Sequence, residues 1–160
     1  MSIRASLLSL FMRLTIKKQM AKFDDPVAFR ERSSGFGAKT PEAVKSTRVD
    51  AGGVPSEWIE YLGAPEDSVI LYFHGGGYVF GDPDSHRDIA WRLGKEVGSK
   101  VLVVNYRLAP EHRFPAAVDD AVDSYRWLLE QGFASDQIAI AGDSAGGGLA
   151  IASMVNLKEL

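Results

Sequence analysis

The chain has 160 residues, which is enough for one domain of ordinary size with a buried core. Its 18 Lys and Arg against 21 Asp and Glu give a net charge of -3 without a long block of one sign, which argues against nucleic acid or an acidic membrane surface as a partner. The absence of cysteine excludes disulfides, thiol nucleophiles and thiolate metal sites, and favours a cytoplasmic location.

Residues 1–40 are predicted to form an N-terminal cap segment of two helices. Apolar residues recur at helical spacing over residues 1–20 among basic residues, as in an amphipathic helix. A secretory signal is the alternative, but serines interrupt the apolar stretch and no small-x-small cleavage site follows. The stretch is too short to span a bilayer, whereas docking on a membrane surface or a partner stays open. Asp25-Pro26 is predicted to start a second helix through Arg32, which residues 33–37 break.

Residues 41–160 are predicted to form a mostly parallel, doubly wound α/β sheet that stops after the helix at 147–157. Strands at 47–49 and 56–62 around a glycine turn suggest an antiparallel pair at one edge. Three short, non-alternating β-branched runs are typical of central parallel strands covered on both faces. Helical stretches between these runs are long enough for crossovers. The three runs are 69–73, 100–104 and 137–141, and the two helices are 85–97 and 115–130.

The pentapeptide Gly142-Asp143-Ser144-Ala145-Gly146 follows a buried-strand pattern and opens a helix, as expected of a nucleophile elbow. Glycines on either side of the serine let neighbouring backbone approach closely. The helix N-terminus would offer unpaired N–H groups to a negative intermediate, with the Ala145 N–H as one oxyanion donor. A packing turn in which Ser144 only caps the helix is the alternative.

A second glycine cluster, His74-Gly75-Gly76-Gly77-Tyr78, directly follows the strand at 69–73. Consecutive glycines leave N–H groups bare, so such a loop can aim two of them at a carbonyl oxygen. A simple chain reversal and a phosphate cradle are the alternatives. Phosphate is disfavoured because neither glycine cluster shows a Gly-x-Gly-x-x-Gly pattern or a Gly-Lys-Ser/Thr ending.

Together with a middle block, Asn105-Tyr106-Arg107-Leu108-Ala109-Pro110-Glu111-His112 followed by Phe114-Pro115-Ala116-Ala117, these motifs resemble the hormone-sensitive-lipase-like family of α/β-hydrolases, especially small bacterial carboxylesterases. The likeness runs from about residue 45 to the end. It implies that Ser144 is the nucleophile, that Gly75, Gly76 and Ala145 form the oxyanion hole, and that the N-terminal helices cap the acyl pocket.

Several nearby polar residues have weaker predicted roles. Tyr78, Asp84 and Asp143 are candidate pocket residues, and Asp84 or Ser85 is the expected cap of the helix at 85–97. Glu111 or Arg107 could brace the glycine loop, with a solvated loop as the equal alternative. No cofactor or metal is expected.

The catalytic partners of Ser144 are missing from this sequence. In the fold that the motifs resemble, the acid and then the histidine follow the serine, but all three histidines precede Ser144, and neither Asp nor His follows it. We therefore expect both partners beyond residue 160, and near-inactivity of the 160-residue chain alone. The strand at 137–141 would then lie at an exposed edge. The expected partners are a small ester substrate and the C-terminal half of the same protein, and a homodimer of the complete enzyme is left open.

The leading hypothesis is a carboxylic-ester hydrolase that forms an acyl-enzyme from short-chain acyl esters. The alternative is a non-catalytic, receptor-like ligand-binding protein on the same fold, which would also lack the histidine. A truncated interaction module docking through its N-terminal helix is a third possibility.

Overall fold

The computed structural model describes residues 11, 14, 25–33 and 40–158, with residues 31–33 described by their backbone alone. Phe11 and Leu14 are helical, but the rest of the helix predicted over residues 1–20 lies outside the described residues, as do residues 34–37 of the predicted break.

Four α-helices, five strands and one 3-10 turn make up residues 25–33 and 40–158. In chain order they are α1 (Pro26–Ser33), β1 (Val44–Asp50), β2 (Pro55–Tyr61), β3 (Val69–Phe73), α2 (Pro83–Val97), β4 (Lys100–Val104), α3 (Ala116–Glu130), the 3-10 turn (Ser135–Gln137), β5 (Ile138–Gly142) and α4 (Ala145–Lys158). None of the helices within the described ranges combines the length and the apolar character needed to cross a membrane.

The five strands form one sheet in the order β1-β2-β4-β3-β5. β3 pairs in parallel with both β4 and β5, whereas β2 runs antiparallel to β1 and β4, so that only β2 opposes the common direction. The sheet is therefore mixed but mostly parallel, and the antiparallel β1–β2 pair lies at its edge as predicted. β5 has β3 as its one neighbour among the described strands, so it forms the other edge, as expected.

Helices cover both faces of the sheet because the central strands are apolar on both. In β3, Leu71 and Phe73 belong to the core beneath α3 and α4, while Ile70 and Tyr72 face the second core, which α2 covers. β4 divides its valines and leucine in the same way. A strand buried on both sides needs an unbroken apolar run. This explains why the sequence showed no alternation there and confirms the doubly wound α/β architecture.

Helices α1 and α2 each begin directly after a capping aspartate. Asp25 caps α1, because its Oδ1 accepts hydrogen bonds from the N–H groups of Val27 and Ala28 at 2.9 and 3.1 Å. α2 begins earlier than predicted, because Asp82 rather than Asp84 or Ser85 is its cap. Pro83 occupies the first helical turn, where its missing N–H costs nothing, and Asp82 and Ser85 form a reciprocal capping box.

Candidate active site

Ser144 lies on the turn between β5 and α4, one residue before the helix begins. Its φ is 52°, a left-handed backbone conformation that a residue with a side chain rarely adopts. Its side chain is exposed at the carboxyl edge of the sheet. An exposed serine held in a strained strand-to-helix turn is the geometry that the elbow motif predicts.

The two glycines of the elbow are required by the backbone of β3. A Cβ on Gly142 would lie 2.6 Å from the carbonyl oxygen of Phe73, and one on Gly146 would collide with that same oxygen. Phe73 is the last residue of β3, and the glycine loop begins with the next residue. The close packing of the elbow on β3 therefore brings the two motifs together.

Contacts on both sides hold the first peptide group of the glycine loop. The His74 carbonyl accepts a hydrogen bond from the Tyr106 hydroxyl at 2.7 Å, and the Gly75 N–H donates to Asp143 Oδ1 at 2.8 Å. Asp143 is the residue immediately before Ser144. Its carboxylate thus ties the elbow directly to the glycine loop.

The next two peptide groups of the loop are held through their carbonyl oxygens. His74 Nδ1 lies 2.8 Å from the Gly75 oxygen, and the Gly76 oxygen accepts from the N–H groups of Val79 and Phe80 at 3.0 and 3.1 Å. In a planar trans peptide the N–H points away from the carbonyl. The N–H groups of Gly76 and Gly77 therefore point away from these anchors, and neither donates to an acceptor within residues 40–158.

This geometry changes one predicted oxyanion donor. The Gly75 N–H is committed to the Asp143 carboxylate, whereas the N–H groups of Gly76 and Gly77 have no acceptor within residues 40–158. The sequence alone showed three equivalent glycines. Which N–H is occupied depends on Asp143, whose contact with Gly75 spans 68 positions of sequence.

His74 supports the loop as a neutral side chain. It is fully buried and stacks on Tyr106, with ring centroids 4.3 Å apart. Burial lowers the pKa of His74 to about 4. Because the Gly75 oxygen can only accept a hydrogen bond, Nδ1 must carry the proton. Nε2 is buried and has no partner among the described residues.

Replacing His74 with Asn is expected to weaken the dependence of the free energy of unfolding on pH below about pH 6.5. Neutral His74 resists protonation when folded, whereas the unfolded side chain titrates near pH 6.5, so stability is full above pH 6.5 and is lost as the pH falls toward 4. The free energy of unfolding should fall more steeply in the wild type than in His74→Asn, with a difference in slope that approaches about 1.4 kcal/mol per pH unit below pH 6. Urea titrations at pH 7, 6 and 5 would measure this slope.

The matched control is His112→Asn, because His112 is exposed. The side-chain amide that His74→Asn introduces keeps an N–H donor for the Gly75 oxygen, which favours folding of the variant. Equal slopes for the wild type and His74→Asn would show that His74 does not carry the acid sensitivity.

Asp143 has the contacts of a bracing residue. Besides Gly75, its Oδ1 accepts the Tyr72 hydroxyl at 2.9 Å, and His86 Nε2 lies 3.5 Å away. Burial, together with this bond to a carboxylate, raises the pKa of Tyr72. The role of Asp143 as a pocket residue stays a prediction.

The other two pocket candidates line separate cavities. Tyr78, with a φ of 64°, lines a largely apolar cavity of about 340 Å³ together with Phe114, Val118 and Ala152. Asp84 lines a polar cavity of about 270 Å³ and forms ion pairs with Arg87 and Arg48. Arg87 also holds the buried Glu57 of β2 at 2.8 Å, which indicates a structural network around Asp84.

The middle block does not brace the glycine loop through its charged side chains. Arg107 binds the buried Asp120 of α3, both through its backbone N–H at 2.7 Å and through its guanidinium. Glu111 pairs with Arg30 of α1 at 2.9 Å. The prediction of direct bracing by Glu111 or Arg107 is therefore wrong, and no pattern in the sequence indicated that Arg30 reaches this block.

Within residues 40–158, Ser144 forms no side-chain hydrogen bond with a histidine or a carboxylate. His74 is buried, and His86 contacts Asp82, Ser85 and Asp143. The described residues also contain no group of three or more His, Cys, Asp or Glu side chains that could hold a metal. Among the described residues the candidate site thus combines an exposed serine with the N–H groups of Gly76 and Gly77, which have no acceptor within residues 40–158.

Comparisons with known proteins agree with the fold described above. Residues 70–160 match the alpha/beta hydrolase fold family. The acetyl-hydrolase of Streptomyces hygroscopicus is 46% identical over 111 residues, which cover 69% of this chain and 37% of that protein. The carboxylesterase/phospholipase LipF of Mycobacterium tuberculosis is 34% identical over 166 residues, covering 98% of this chain and 44% of that protein.

A crystal structure of a hormone-sensitive lipase from a metagenome library is 44% identical, with a TM-score of 0.79 over 93% of this chain and 51% of that one. The chain thus spans less than half the length of these two curated relatives and about half of the solved structure.

Proposed function

The chain belongs to the alpha/beta hydrolase fold family, and on this premise we propose that the complete polypeptide is a carboxylic-ester hydrolase with Ser144 as its nucleophile. The observation that carries the proposal is the pairing of an exposed, strained serine with a loop whose Gly76 and Gly77 N–H groups have no acceptor within residues 40–158. Nucleophilic acyl transfer needs these two parts together.

In the proposed reaction, Ser144 Oγ loses its proton to a base and attacks the ester carbonyl. The carbonyl oxygen becomes an oxyanion, which the N–H groups of Gly76, Gly77 and Ala145 stabilise at the positive end of α4. Collapse of the intermediate expels the alcohol, which takes up the proton. Water then attacks the acyl-enzyme and releases the carboxylic acid together with free Ser144.

We propose that the catalytic acid and base lie in sequence beyond residue 160. The relatives' greater length supports this, as does the absence of a histidine bonded to Ser144 within residues 40–158. Without a base, a serine hydrolase retains only about 10³- to 10⁴-fold acceleration over water. The 160-residue chain alone is therefore proposed to be nearly inactive. A cytoplasmic location, the N-terminal cap and a homodimer of the complete enzyme stay predictions.

The proposed substrates are short-chain acyl esters, which the name of the Streptomyces relative supports. The test is the hydrolysis of p-nitrophenyl acetate, butyrate, octanoate and palmitate by the complete polypeptide as its gene encodes it. We expect kcat/KM to be highest for acetate or butyrate and to fall with longer chains. A preference for palmitate would overturn the substrate class, and tight ester binding without turnover would favour a receptor-like protein instead.

A further inference from the structure

Arg30 of α1 joins three parts of the chain that are distant in sequence. Its Nε and Nη2 donate to the Val79 carbonyl at 3.0 and 2.8 Å, and Nη2 also donates to the Ala109 carbonyl at 2.9 Å. The same guanidinium holds both carboxylate oxygens of Glu111, at 2.9 and 3.1 Å. A planar guanidinium presents five N–H groups in a fixed fork, two of them on Nη2, so the three Nη2 contacts share two hydrogens, and an ammonium group cannot match this geometry.

The contact with Val79 leads to an oxyanion donor through two peptide groups. The Val79 carbonyl and the Phe80 N–H belong to one planar peptide: the carbonyl accepts from Arg30, and the N–H donates to the Gly76 oxygen at 3.1 Å. The Gly76 oxygen in turn belongs to the peptide that carries the Gly77 N–H. Because each peptide is rigid, fixing the first constrains the direction of the second.

This part of the loop needs such support. Gly76 and Gly77, with φ values of 126° and 62°, have no Cβ to restrict their backbone, and Tyr78 has a φ of 64°, which a residue with a side chain keeps only when surrounding contacts hold it. The Ala109 N–H supplies one external contact, to the Tyr78 carbonyl at 2.8 Å. Arg30 supplies the next external contact along the loop, at the Val79 carbonyl, and it also binds the carbonyl of that same Ala109.

We propose that Arg30 is a positioning residue for catalysis, which sets the direction of the Gly77 N–H by clamping the Val79 and Ala109 carbonyls. The proposal rests on the proposed esterase function. It also means that α1 is coupled to the oxyanion hole, so that correct seating of α1 is required for full activity. Phe29 packs edge-on against Phe80, with centroids 5.3 Å apart, and gives α1 a second contact with the loop.

The test separates the carbonyl clamp from the ion pair with Glu111. In Arg30→Lys a positive charge remains near Glu111 but the clamp is lost. In Glu111→Gln the ion pair is lost but the clamp remains. Arg92→Gln is the matched control, because Arg92 pairs with Asp88 on the exposed side of α2. The readouts are kcat and KM for p-nitrophenyl acetate with the complete polypeptide, taken well below each variant's melting temperature.

We expect Arg30→Lys and Arg30→Gln to lower kcat by roughly tenfold to a hundredfold, which is less than the loss of a whole oxyanion donor. KM should stay within about twofold, because the donor acts on the transition state. Glu111→Gln and Arg92→Gln should retain at least half of the wild-type kcat. Equal losses in Arg30→Lys and Glu111→Gln, or unchanged kcat in both Arg30 variants, would overturn the proposal. A wild type without esterase activity would instead refute the proposed function.

Discussion

Ser144→Ala is expected to lower kcat of the complete polypeptide by about 10⁴- to 10⁶-fold, the range found when the nucleophile of a serine hydrolase is removed. The reason is that the acyl-enzyme can no longer form, while the N–H donors still polarise the ester carbonyl. KM should change little, because the pocket is intact. Steady-state hydrolysis of p-nitrophenyl acetate measures both constants, and Ser135→Ala, at the exposed 3-10 turn, is the control.

A second substitution at residue 144 tests whether the elbow holds its serine under backbone strain. Ser144→Gly should be as inactive as Ser144→Ala but more stable than it, by about 1 kcal/mol in the free energy of unfolding. The difference arises because glycine adopts a φ of 52° without the cost that a Cβ imposes. Urea unfolding of both variants would show it. Equal stability of the two would contradict the view that the elbow holds its serine under backbone strain.

Gly146→Ala is expected to destabilise the fold by about 3 kcal/mol or more, at the upper end of overpacking substitutions. Its Cβ would collide with the carbonyl oxygen of Phe73 and lie 2.6 Å from that of His74. Relief would require the elbow to move away from β3 and from the glycine loop. The measurement is urea unfolding at 25 °C, with the soluble yield as a first indication.

Gly147→Ala is the matched control on the neighbouring residue of α4. Its nearest contact would be the Gly142 oxygen at 3.3 Å, which is tight but close to ordinary packing. The greater helix propensity of alanine, about 1 kcal/mol over glycine, offsets that cost. If both variants were equally stable, the close approach of α4 to the end of β3 would not be what requires Gly146.

Most of the sheet could be predicted from the sequence because its central strands carry their own signal. The runs at 69–73 and 100–104 became β3 and β4 with unchanged bounds, since a strand covered on both faces must be continuously apolar. The helix ends that depend on capping residues were predicted less accurately. α2 begins at Pro83, because the pairing of Asp82 with Ser85 outcompetes the caps suggested by Asp84 and Ser85 themselves.

At the site, the sequence predicted the serine and the glycine loop. It did not predict which N–H groups of the loop are engaged in hydrogen bonds within the protein. The choice among Gly75, Gly76 and Gly77 depends on which backbone groups are already engaged: Asp143 accepts from the Gly75 N–H, His74 contacts the Gly75 oxygen, and the turn at Val79 and Phe80 holds the Gly76 oxygen. Arg30 carried no recognisable signal, since its partners lie 49 to 81 positions away in the chain. The serine is marked by a local sequence motif, whereas the N–H groups of the loop are positioned by contacts between residues that are distant in sequence.

An activated Ser144 in the complete polypeptide should react with a fluorophosphonate probe, and digestion followed by mass mapping identifies the labelled peptide. A phosphonate adduct forms only when the serine is both activated and accessible. We predict a single adduct on the peptide that contains Ser144, and none in Ser144→Ala. A folded wild-type protein that stays unlabelled, or that is labelled at another residue, would show that Ser144 is not the activated nucleophile.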